Sequence, residues 1–335
     1  MPSFNITVND IDPAGLRLDR YIAENLCLLS RSQIKARELE ARVNGKAVKI
    51  SRIIKNGDKI ELSWNEERPV SLIPENIPLD IIFENNRAVV INKPQGMVVH
   101  PGAGNWQGTL ANALYHRRLE LRITENGTQA HGLGHGPRPG LRPGIVHRLD
   151  KDTSGVIIAA WDDEALAFLA EQFKARKARK TYIAIVSGIP KEKKGRIETF
   201  IARDTKDRKR FTVSVPSLGP GNSLAQSKAQ VKAPGKAALT LYSVIKTWQS
   251  HSLLLLRPKT GRTHQIRVHL RHLGHPVAGD TIYGFTDPVF QNAGLMLHSR
   301  SLAITLPGET EQRVFKAPLP ERFTKMIKLL TRGKI

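Results

Sequence analysis

The sequence predicts an α+β protein built from two folded units. Its length of 335 residues is about twice that of a typical domain. From about residue 80 onward, strand patterns and helix patterns are mixed along the chain. Pro69, Pro74 and Pro78 lie in a stretch with few helix formers, which favours a semi-extended linker. We therefore predict a small N-terminal α/β domain at 14–64, a linker at 65–79 and a larger domain at 80–335.

The N-terminal domain shows two helix patterns followed by short strands. Apolar residues at helical spacing predict a first helix over 18–29, and Ser30 is a suitable N-cap for a second helix over 31–40. Asn44-Gly45 and Gly57-Asp58 are turn signals between short strands.

The larger domain shows a longer series of strands and helices. Buried strands are predicted at 81–83, 88–91, 145–146, 156–160, 182–186 and 253–256. Helices are predicted at 109–119, after a cap at Asp163, and at 263–273, where Gly274 and Pro276 end the helix. Two stretches rich in Gly, Pro and polar residues, 125–144 and 214–236, are predicted as insertions.

The charge balance predicts a polyanionic partner. The chain has 52 basic and 30 acidic residues, a formal net charge of +22. Nucleic acid is the first expectation and an anionic membrane surface the second. The single cysteine, Cys27, excludes a disulfide framework and fits a reducing cytoplasm. No apolar run is long enough for a membrane span, and the first residues lack signal-peptide features.

The polar loop between the strands at 145 and 156 is the first candidate for chemistry. Asp150 has a basic residue two positions before it and another directly after it, and nearby positive charge keeps a carboxylate ionised. It can act as a nucleophile or a general base, or it can simply close a salt bridge beside a turn. Tyr182, Arg262 and Arg267 are its candidate partners.

Metal and nucleotide-cofactor sites have weak support. Four histidines, His264, His269, His272 and His275, crowd one predicted helix and its exit, but without cysteine partners they favour phosphate contacts and core hydrogen bonds over zinc. No Walker motif, dinucleotide fingerprint or nucleophile elbow occurs. We expect no metal and no cofactor.

Two basic runs, 174–180 and 203–210, favour contacts with a phosphate backbone. Aromatic residues make up only 6% of the chain, which argues against an extended stacking platform for single strands. A folded RNA that is recognised by its shape fits better.

Five segments, in order, resemble the RluA family of RNA pseudouridine synthases. One is His147-Arg148-Leu149-Asp150 with Thr153-Ser154-Gly155, and another is Asn92-Lys93-Pro94 with His100-Pro101. The others are Lys180-Thr181-Tyr182 with Gly188, the run from Thr260 to His269, and Gly274-His275-Pro276 with Gly279-Asp280 and Tyr283-Gly284. The resemblance covers about 80–320.

Residues 14–64 resemble the S-four RNA-binding domain through Arg17-Leu18-Asp19, Ser30-Arg31, Val43-Asn44-Gly45 and Gly57-Asp58. This domain order is similar to that of bacterial synthases of the D type, which act on large-subunit ribosomal RNA. Arg31, Lys35 and Arg37, on or beside the second predicted helix, are the expected phosphate contacts of this domain; the alternative is that they are solvated. The two insertions are longer than the family pattern leads us to expect.

The resemblance implies isomerisation of uridine to pseudouridine in RNA, on a mixed, mainly antiparallel sheet with a central cleft. Asp150 would attack the sugar or abstract a sugar proton, and Arg267 would pair with it. Tyr182 would pack on the base and assist removal of the proton from its ring carbon. Arg148 would fill the place that the flipped nucleotide leaves. The nucleotide must flip because a base inside a stack cannot reach a pocket.

Two other classes of function remain open: a non-catalytic RNA-binding or ribosome-assembly protein, and a metal-dependent hydrolase that uses the histidines. For the synthase we expect a cytoplasmic monomer whose partner is ribosomal large-subunit RNA, without membrane association.

Overall fold

The computed structural model divides the chain into two compact units, Met1–Ser71 and Leu72–Ile335. It describes residues 3–12, 14–26, 28–29, 34, 38–64, 72–102, 104–126, 144–207, 210–214, 235–285, 290 and 293–333. The division between the units falls within the stretch predicted as a linker.

The first unit contains a four-stranded antiparallel sheet and a separate two-stranded ladder in its described part. Its strands are β1 (Ser3–Thr7), β2 (Leu16–Arg17), β3 (Glu40–Val43), β4 (Lys46–Val48), β5 (Ile53–Ile54) and β6 (Lys59–Ser63). The order in the sheet is β1-β6-β3-β4, and β2 pairs with β5. Asn44 and Gly45 both have positive φ, as a tight turn between β3 and β4 requires.

The helical part of the first unit is shorter than the sequence predicts. Helix α1 (Leu18–Arg20) continues as a π-helix at Tyr21–Asn25 and does not extend to residue 29. Leu18, Tyr21 and Ile22 point into the core, so the predicted apolar face is real although the helix ends early. The predicted second helix does not reach Glu40, which begins β3; most of that helix lies outside the described residues.

The second unit contains an eleven-stranded sheet in the part that the structure describes. Its strands are β7 (Ile81–Glu84), β8 (Ala88–Lys93), β9 (Gly144–Ile145), β10 (Ser154–Ala160), β11 (Arg179–Ser187), β12 (Lys194–Arg203), β13 (Phe211–Ser214), β14 (Lys236–Thr247), β15 (His251–Pro258), β16 (Leu297–Thr305) and β17 (Gln312–Lys316). Its helices are α2 (Leu110–Asn126), α3 (Asp163–Lys174), α4 (Gln265–His272) and α5 (Glu321–Thr331).

The strand order is β13-β12-β14-β15-β11-β16-β10-β8-β7, with β17 beside β16 and β9 beside β10. The pairing of β10 with β16 is parallel, and the other described pairings are antiparallel. The predicted α+β fold with a mixed, mainly antiparallel sheet is thereby confirmed.

The central strand β10 is buried along its whole length. Ile157 and Ala159 belong to the apolar cluster on one face of the sheet, and Val156 and Ile158 to the cluster on the other face. Gly155 has a φ of 112°, and a Cβ at this position would collide with the backbone of Ser299 in β16. The close parallel pairing of β10 and β16 therefore requires glycine here.

Helix α3 packs on the face of the sheet that carries Val156 and Ile158. The N-cap of this helix lies one residue before the predicted one. Asp162, with an extended backbone, accepts a hydrogen bond from Ala165 N at 2.8 Å. Asp163 is the first helical residue instead of the cap. An acidic residue at either position favours the helix start, so the sequence alone does not separate them.

Residues 72–80, at the start of the second unit, are joined to the rest of that unit by several hydrogen bonds. Asn112 Nδ2 donates to Ile73 O at 2.8 Å, Gly108 N donates to the Glu75 carboxylate at 3.0 Å, and Asn92 Nδ2 donates to Asp80 Oδ2 at 2.7 Å. Most of the two predicted insertions, 125–144 and 214–236, lies outside the described residues. No helix in the described part of the chain is long and apolar enough to cross a membrane.

Candidate active site

Asp150 lies in the loop that leads into the central strand β10. Its backbone carbonyl accepts a hydrogen bond from Thr153 N at 3.1 Å, which closes a turn just before the strand. Its side chain is 16% exposed and lines a cavity of about 70 Å³. Tyr182 and His264 line the same cavity, so the fold gathers a carboxylate, a phenol and an imidazole from three separate segments.

Arg267, on helix α4, is bound to two carboxylates at unequal distances. Its Nη1 lies 3.7 Å from Asp150 Oδ2, within range of an ion pair. Its Nε and Nη2 each donate a 2.7 Å hydrogen bond to the carboxylate of Asp280. The predicted contact between Arg267 and Asp150 is present, but the closer partner is Asp280, which the sequence analysis did not select as a site residue.

Asp280 is itself fixed by the backbone. Its Oδ1 also accepts hydrogen bonds from Ile282 N at 2.9 Å and Tyr283 N at 3.0 Å. Burial alone would raise the pKa of Asp280 and lower that of Arg267, but their pairing outweighs burial, so the pKa of Asp280 is lowered and that of Arg267 is raised. Both groups are therefore charged, and Arg267 faces Asp150 as a fixed cation.

Tyr182 is held inside the sheet. It lies on β11 beside Ser299 of β16, at an irregularity in the pairing of these two strands. The side chain is buried, and burial raises the pKa of its phenol far above the ordinary value, with Asp150 adding to the effect. The phenol therefore keeps its proton in the free protein.

His264 lines the cavity and approaches the oxygen of Asp150 that Arg267 does not face. Its Nε2 lies 4.0 Å from Asp150 Oδ1, and its Nδ1 lies 2.9 Å from the hydroxyl of Tyr283. Its φ of 54° is in the left-handed region, which few residues other than glycine adopt. Burial lowers the pKa of this imidazole.

Lys93 holds the loop that carries Asp150 in place by hydrogen bonds to the backbone. This lysine is fully buried, and its Nζ donates to the carbonyl oxygens of Pro94 at 2.8 Å, Met97 at 2.8 Å and Lys151 at 3.0 Å. Gly96 N donates to the same Lys151 oxygen at 2.9 Å. Burial lowers the pKa of Lys93 to about 7. The segment that contains the Asn-Lys-Pro motif thus holds the loop in place by hydrogen bonds to the carbonyl oxygen of Lys151, the residue next to Asp150.

A basic groove of about 840 Å³ adjoins the cavity and shares Arg148, Lys180 and Arg262 with it. Its lining includes eight basic side chains and no acidic one: Arg148, Lys174, Arg176, Arg179, Lys180, Arg257, Lys259 and Arg262. Arg148 is exposed and has no carboxylate partner among the described residues. Such a groove suits the phosphates of a nucleic acid strand that leads to Asp150.

The other sequence candidates have different positions. Arg262 lines the groove and cavity while its Nε donates to Ala237 O at 3.1 Å. His269 is buried between Thr199 and Thr240, with ring nitrogens 3.0 and 2.9 Å from their hydroxyls. Arg31, Lys35 and Arg37 lie outside the described residues. No cluster of three metal-ligating side chains occurs in the described parts of the chain.

Comparisons with known proteins give a consistent result. The family model described as RNA pseudouridylate synthase matches residues 87–272. A ribosomal large subunit pseudouridine synthase D from Borreliella burgdorferi is 42% identical over 92% of this chain and 88% of its own length. The protein of the same name from Nitrosomonas europaea is 35% identical over 98% of this chain and 88% of its own length.

Among solved structures, the human RNA pseudouridylate synthase domain containing 4 is similar, with a TM-score of 0.57 and 26% identity. The match covers 75% of this chain and 92% of the human chain.

Proposed function

The chain belongs to the RluA family of RNA pseudouridine synthases and is an isomerase acting on RNA; we propose that its substrate is ribosomal RNA of the large subunit. The two relatives named as large-subunit synthases, each similar over more than nine-tenths of this chain, support that substrate. The alternative of a non-catalytic RNA-binding protein is not favoured.

One observation carries the assignment of the site. Asp150 lines a small cavity together with Tyr182, next to the fixed cation Arg267 and at the end of a groove lined by basic side chains without acidic ones. A strand of RNA bound along the groove can deliver one extruded base to the cavity, whereas a base inside a stack cannot reach Asp150.

We propose that Asp150 acts on the sugar of the extruded uridine, as nucleophile at C1′ or as base at C2′. The bond between N1 and C1′ breaks, the uracil turns, C5 bonds to C1′, and C5 loses its proton while N1 gains one. As nucleophile, Asp150 forms an ester to C1′ that breaks when C5 bonds to C1′; as base, it returns the proton to C2′ in that step. The carboxylate is regenerated in both cases, and Arg267 keeps the free carboxylate ionised and oriented before it reacts. Because no electron is transferred, this scheme needs no redox cofactor.

Tyr182 and Arg148 have separate roles in the proposal. Tyr182, a buried neutral phenol, packs against the uracil and assists removal of the C5 proton once the base has turned. Arg148, which is exposed between groove and cavity, occupies the space that the extruded nucleotide leaves. The family resemblance implies both roles, and the position of each side chain supports them.

The test is a map of pseudouridines in large-subunit ribosomal RNA from cells that lack this gene. Complementation with the wild type restores the missing pseudouridines, and complementation with Asp150→Asn does not. Asp152→Asn is the matched control, since it makes the same change two residues along the same loop at a position that does not line the cavity. Restoration by Asp150→Asn would overturn the assignment of Asp150, and an unchanged map in the deletion strain would overturn the substrate.

We also propose that the enzyme acts as a monomer in the cytoplasm. Asp150, His264 and Arg267 reach one another within a single copy of the chain, so the proposed chemistry needs no second copy, and ribosomal RNA of a bacterial cell is made in the cytoplasm. Sedimentation of the enzyme alone and with an RNA fragment tests the first statement, and cell fractionation tests the second.

A further inference from the structure

The two ring nitrogens of His264 face different groups: Nδ1 faces the hydroxyl of Tyr283, and Nε2 faces the carboxylate of Asp150. Tyr283 Oη accepts the backbone N–H of Phe211 at 2.8 Å and lies 2.9 Å from His264 Nδ1. Burial raises the pKa of Tyr283 to about 12, so its hydroxyl retains a proton to donate. Because the oxygen already accepts the N–H of Phe211, its own proton is available to His264 Nδ1.

A neutral imidazole that accepts at Nδ1 carries its own hydrogen at Nε2. Asp150 and Asp280 favour the protonated imidazolium, while burial, Arg267 and Arg148 oppose it, and the pKa of His264 is lowered overall. The neutral form with the hydrogen on Nε2 is therefore the form beside Asp150. Its Nε2 is 4.0 Å from Oδ1, a distance that a small tightening on RNA binding brings to hydrogen-bond length.

The two oxygens of Asp150 thus face different groups. Oδ2 faces the guanidinium of Arg267 at 3.7 Å, and Oδ1 faces the imidazole of His264. A single cation keeps a carboxylate ionised, but the carboxylate can still rotate about the bond between Cβ and Cγ. A second donor on the other oxygen removes this freedom and fixes the plane of the carboxylate.

We propose that His264 is a positioning residue that donates from Nε2 to Asp150 Oδ1 and that Tyr283 sets the tautomer required for this. The inference rests on the proposed function of Asp150. The unusual backbone of His264 supports it, because a left-handed φ places the ring between Tyr283 and Asp150 at the start of helix α4.

Two substitutions separate the two nitrogens of the ring. In His264→Asn the short amide reaches the position of Nδ1 and keeps a partner for Tyr283, but it has no group at the position of Nε2. Asparagine also tolerates a left-handed backbone, so this variant is expected to fold. In His264→Gln the longer amide places an N–H near the position of Nε2 and loses the contact with Tyr283.

The measurement is single-turnover and steady-state formation of pseudouridine on a large-subunit ribosomal RNA fragment. We expect His264→Asn to lower kcat by about 10- to 100-fold, the range for losing a hydrogen bond to a charged group, with KM for RNA unchanged within about twofold. His264→Gln should recover kcat to within about fivefold of the wild type. Wild-type kcat in His264→Asn, or equal losses in both variants, would overturn the proposal.

A double-mutant cycle tests the part played by Tyr283. Tyr283→Phe keeps the ring beside Arg267 and removes only the hydroxyl, so kcat should fall in the wild-type background. In the His264→Asn background the same change should have no further effect on kcat, because the donor to Asp150 is already gone. Additive losses would overturn the role of the tautomer.

These outcomes are distinct from failure of the proposed function. If the wild type forms no pseudouridine on the fragment, or if Asp150→Asn remains active, the assignment of the substrate or of Asp150 fails. If the wild type is active, Asp150→Asn is inactive and His264→Asn equals the wild type, only the inference about His264 fails.

Discussion

Arg267 and Asp280 form a buried pair in which two parallel hydrogen bonds of 2.7 Å join the guanidinium to the carboxylate. The Arg267 side chain is 5% exposed and that of Asp280 is 0% exposed. The pair links helix α4 to the turn before Tyr283, and it orients Arg267 before any RNA is bound. Asp280 therefore acts on the site through Arg267, although it does not line the cavity.

We expect Asp280→Asn to impair both stability and turnover. The amide has the same shape but no charge, so Arg267 is left as a buried cation with a weaker partner. Loss of one member of a buried ion pair costs about 3–5 kcal/mol. Urea unfolding and kcat measure the two effects. The matched control is Glu309→Gln, which breaks the exposed pair with Arg313 and should cost less than about 1 kcal/mol. An Asp280→Asn enzyme with wild-type stability and turnover would show that the pair is dispensable.

The site shows what the sequence can and cannot predict. The chemistry of Asp150, Tyr182 and Arg267 was accessible because each lies in a segment whose pattern resembles the family. Asp280 was visible as part of such a segment, but nothing in the sequence shows that it is closer to Arg267 than Asp150 is. That difference depends on where α4 and the turn at 280–283 lie relative to the sheet.

The fold shows the same division. Runs of β-branched residues predict β8, β10 and β11 because fully buried strands have a clear apolar pattern. The length of α1 was wrong because a π-helix keeps the apolar residues on nearly the same face and still ends early. The left-handed backbone of His264 was not predicted, because histidine has only a weak preference for it and the surrounding packing decides.

Lys93 gives a pH dependence of stability with a defined sign. Its pKa is lowered to about 7 by burial, whereas an unfolded lysine titrates near 10.5. Between these values the unfolded chain holds a proton that the folded chain lacks. The free energy of unfolding should therefore rise with pH across this window, by up to about 1.4 kcal/mol per unit from this group. Below about pH 7 the full cost of charging Lys93 is present.

The measurement is urea unfolding of the wild type and of Lys93→Met from pH 6 to 10. At each pH the free energy of unfolding of the variant is subtracted from that of the wild type, so that the contributions of other titrating groups cancel. The difference should rise between about pH 7 and 10 and be flat below. Lys194→Met, which removes an exposed lysine on β12, is the matched control for the loss of a lysine side chain at the surface. A flat difference for Lys93→Met would mean that the three carbonyl oxygens hold Lys93 charged throughout.

The basic groove predicts how RNA affinity responds to salt. Arg257 and Lys259 line the groove without carboxylate partners among the described residues. Each phosphate contact contributes about 0.7–0.9 to the slope of log affinity against log salt concentration. We expect the double variant Arg257→Gln, Lys259→Gln to lower this slope by about 1.4–1.8.

The control for the groove is the double variant Lys191→Gln, Lys194→Gln, which removes the same charge from residues outside the groove lining. It should leave the slope nearly unchanged. Equal effects of the two double variants would mean that net charge, and not the groove, governs binding.

Removal of the N-terminal unit should weaken RNA binding and leave a folded catalytic unit. The unit Leu72–Ile335 has its own apolar core, and the groove and Asp150 both lie within it. Its boundary matters, since Ile73, Glu75 and Asp80 make hydrogen bonds to residues of that unit. A chain that starts at residue 72 should therefore unfold at a higher urea concentration than one that starts at 81.

The RNA-binding role of the first unit is a prediction from Arg31, Lys35 and Arg37, and the two truncated chains test it. If these residues contact phosphates, the chain that starts at 72 should bind a ribosomal RNA fragment more weakly than the full chain, with a smaller salt slope. Its kcat at saturating RNA should be retained, because every side chain around Asp150 is still present. The triple variant Arg31→Gln, Lys35→Gln, Arg37→Gln in the full chain should reproduce the loss of affinity without removing the unit. Undiminished affinity in both the truncated chain and the triple variant would show that these three side chains are merely solvated.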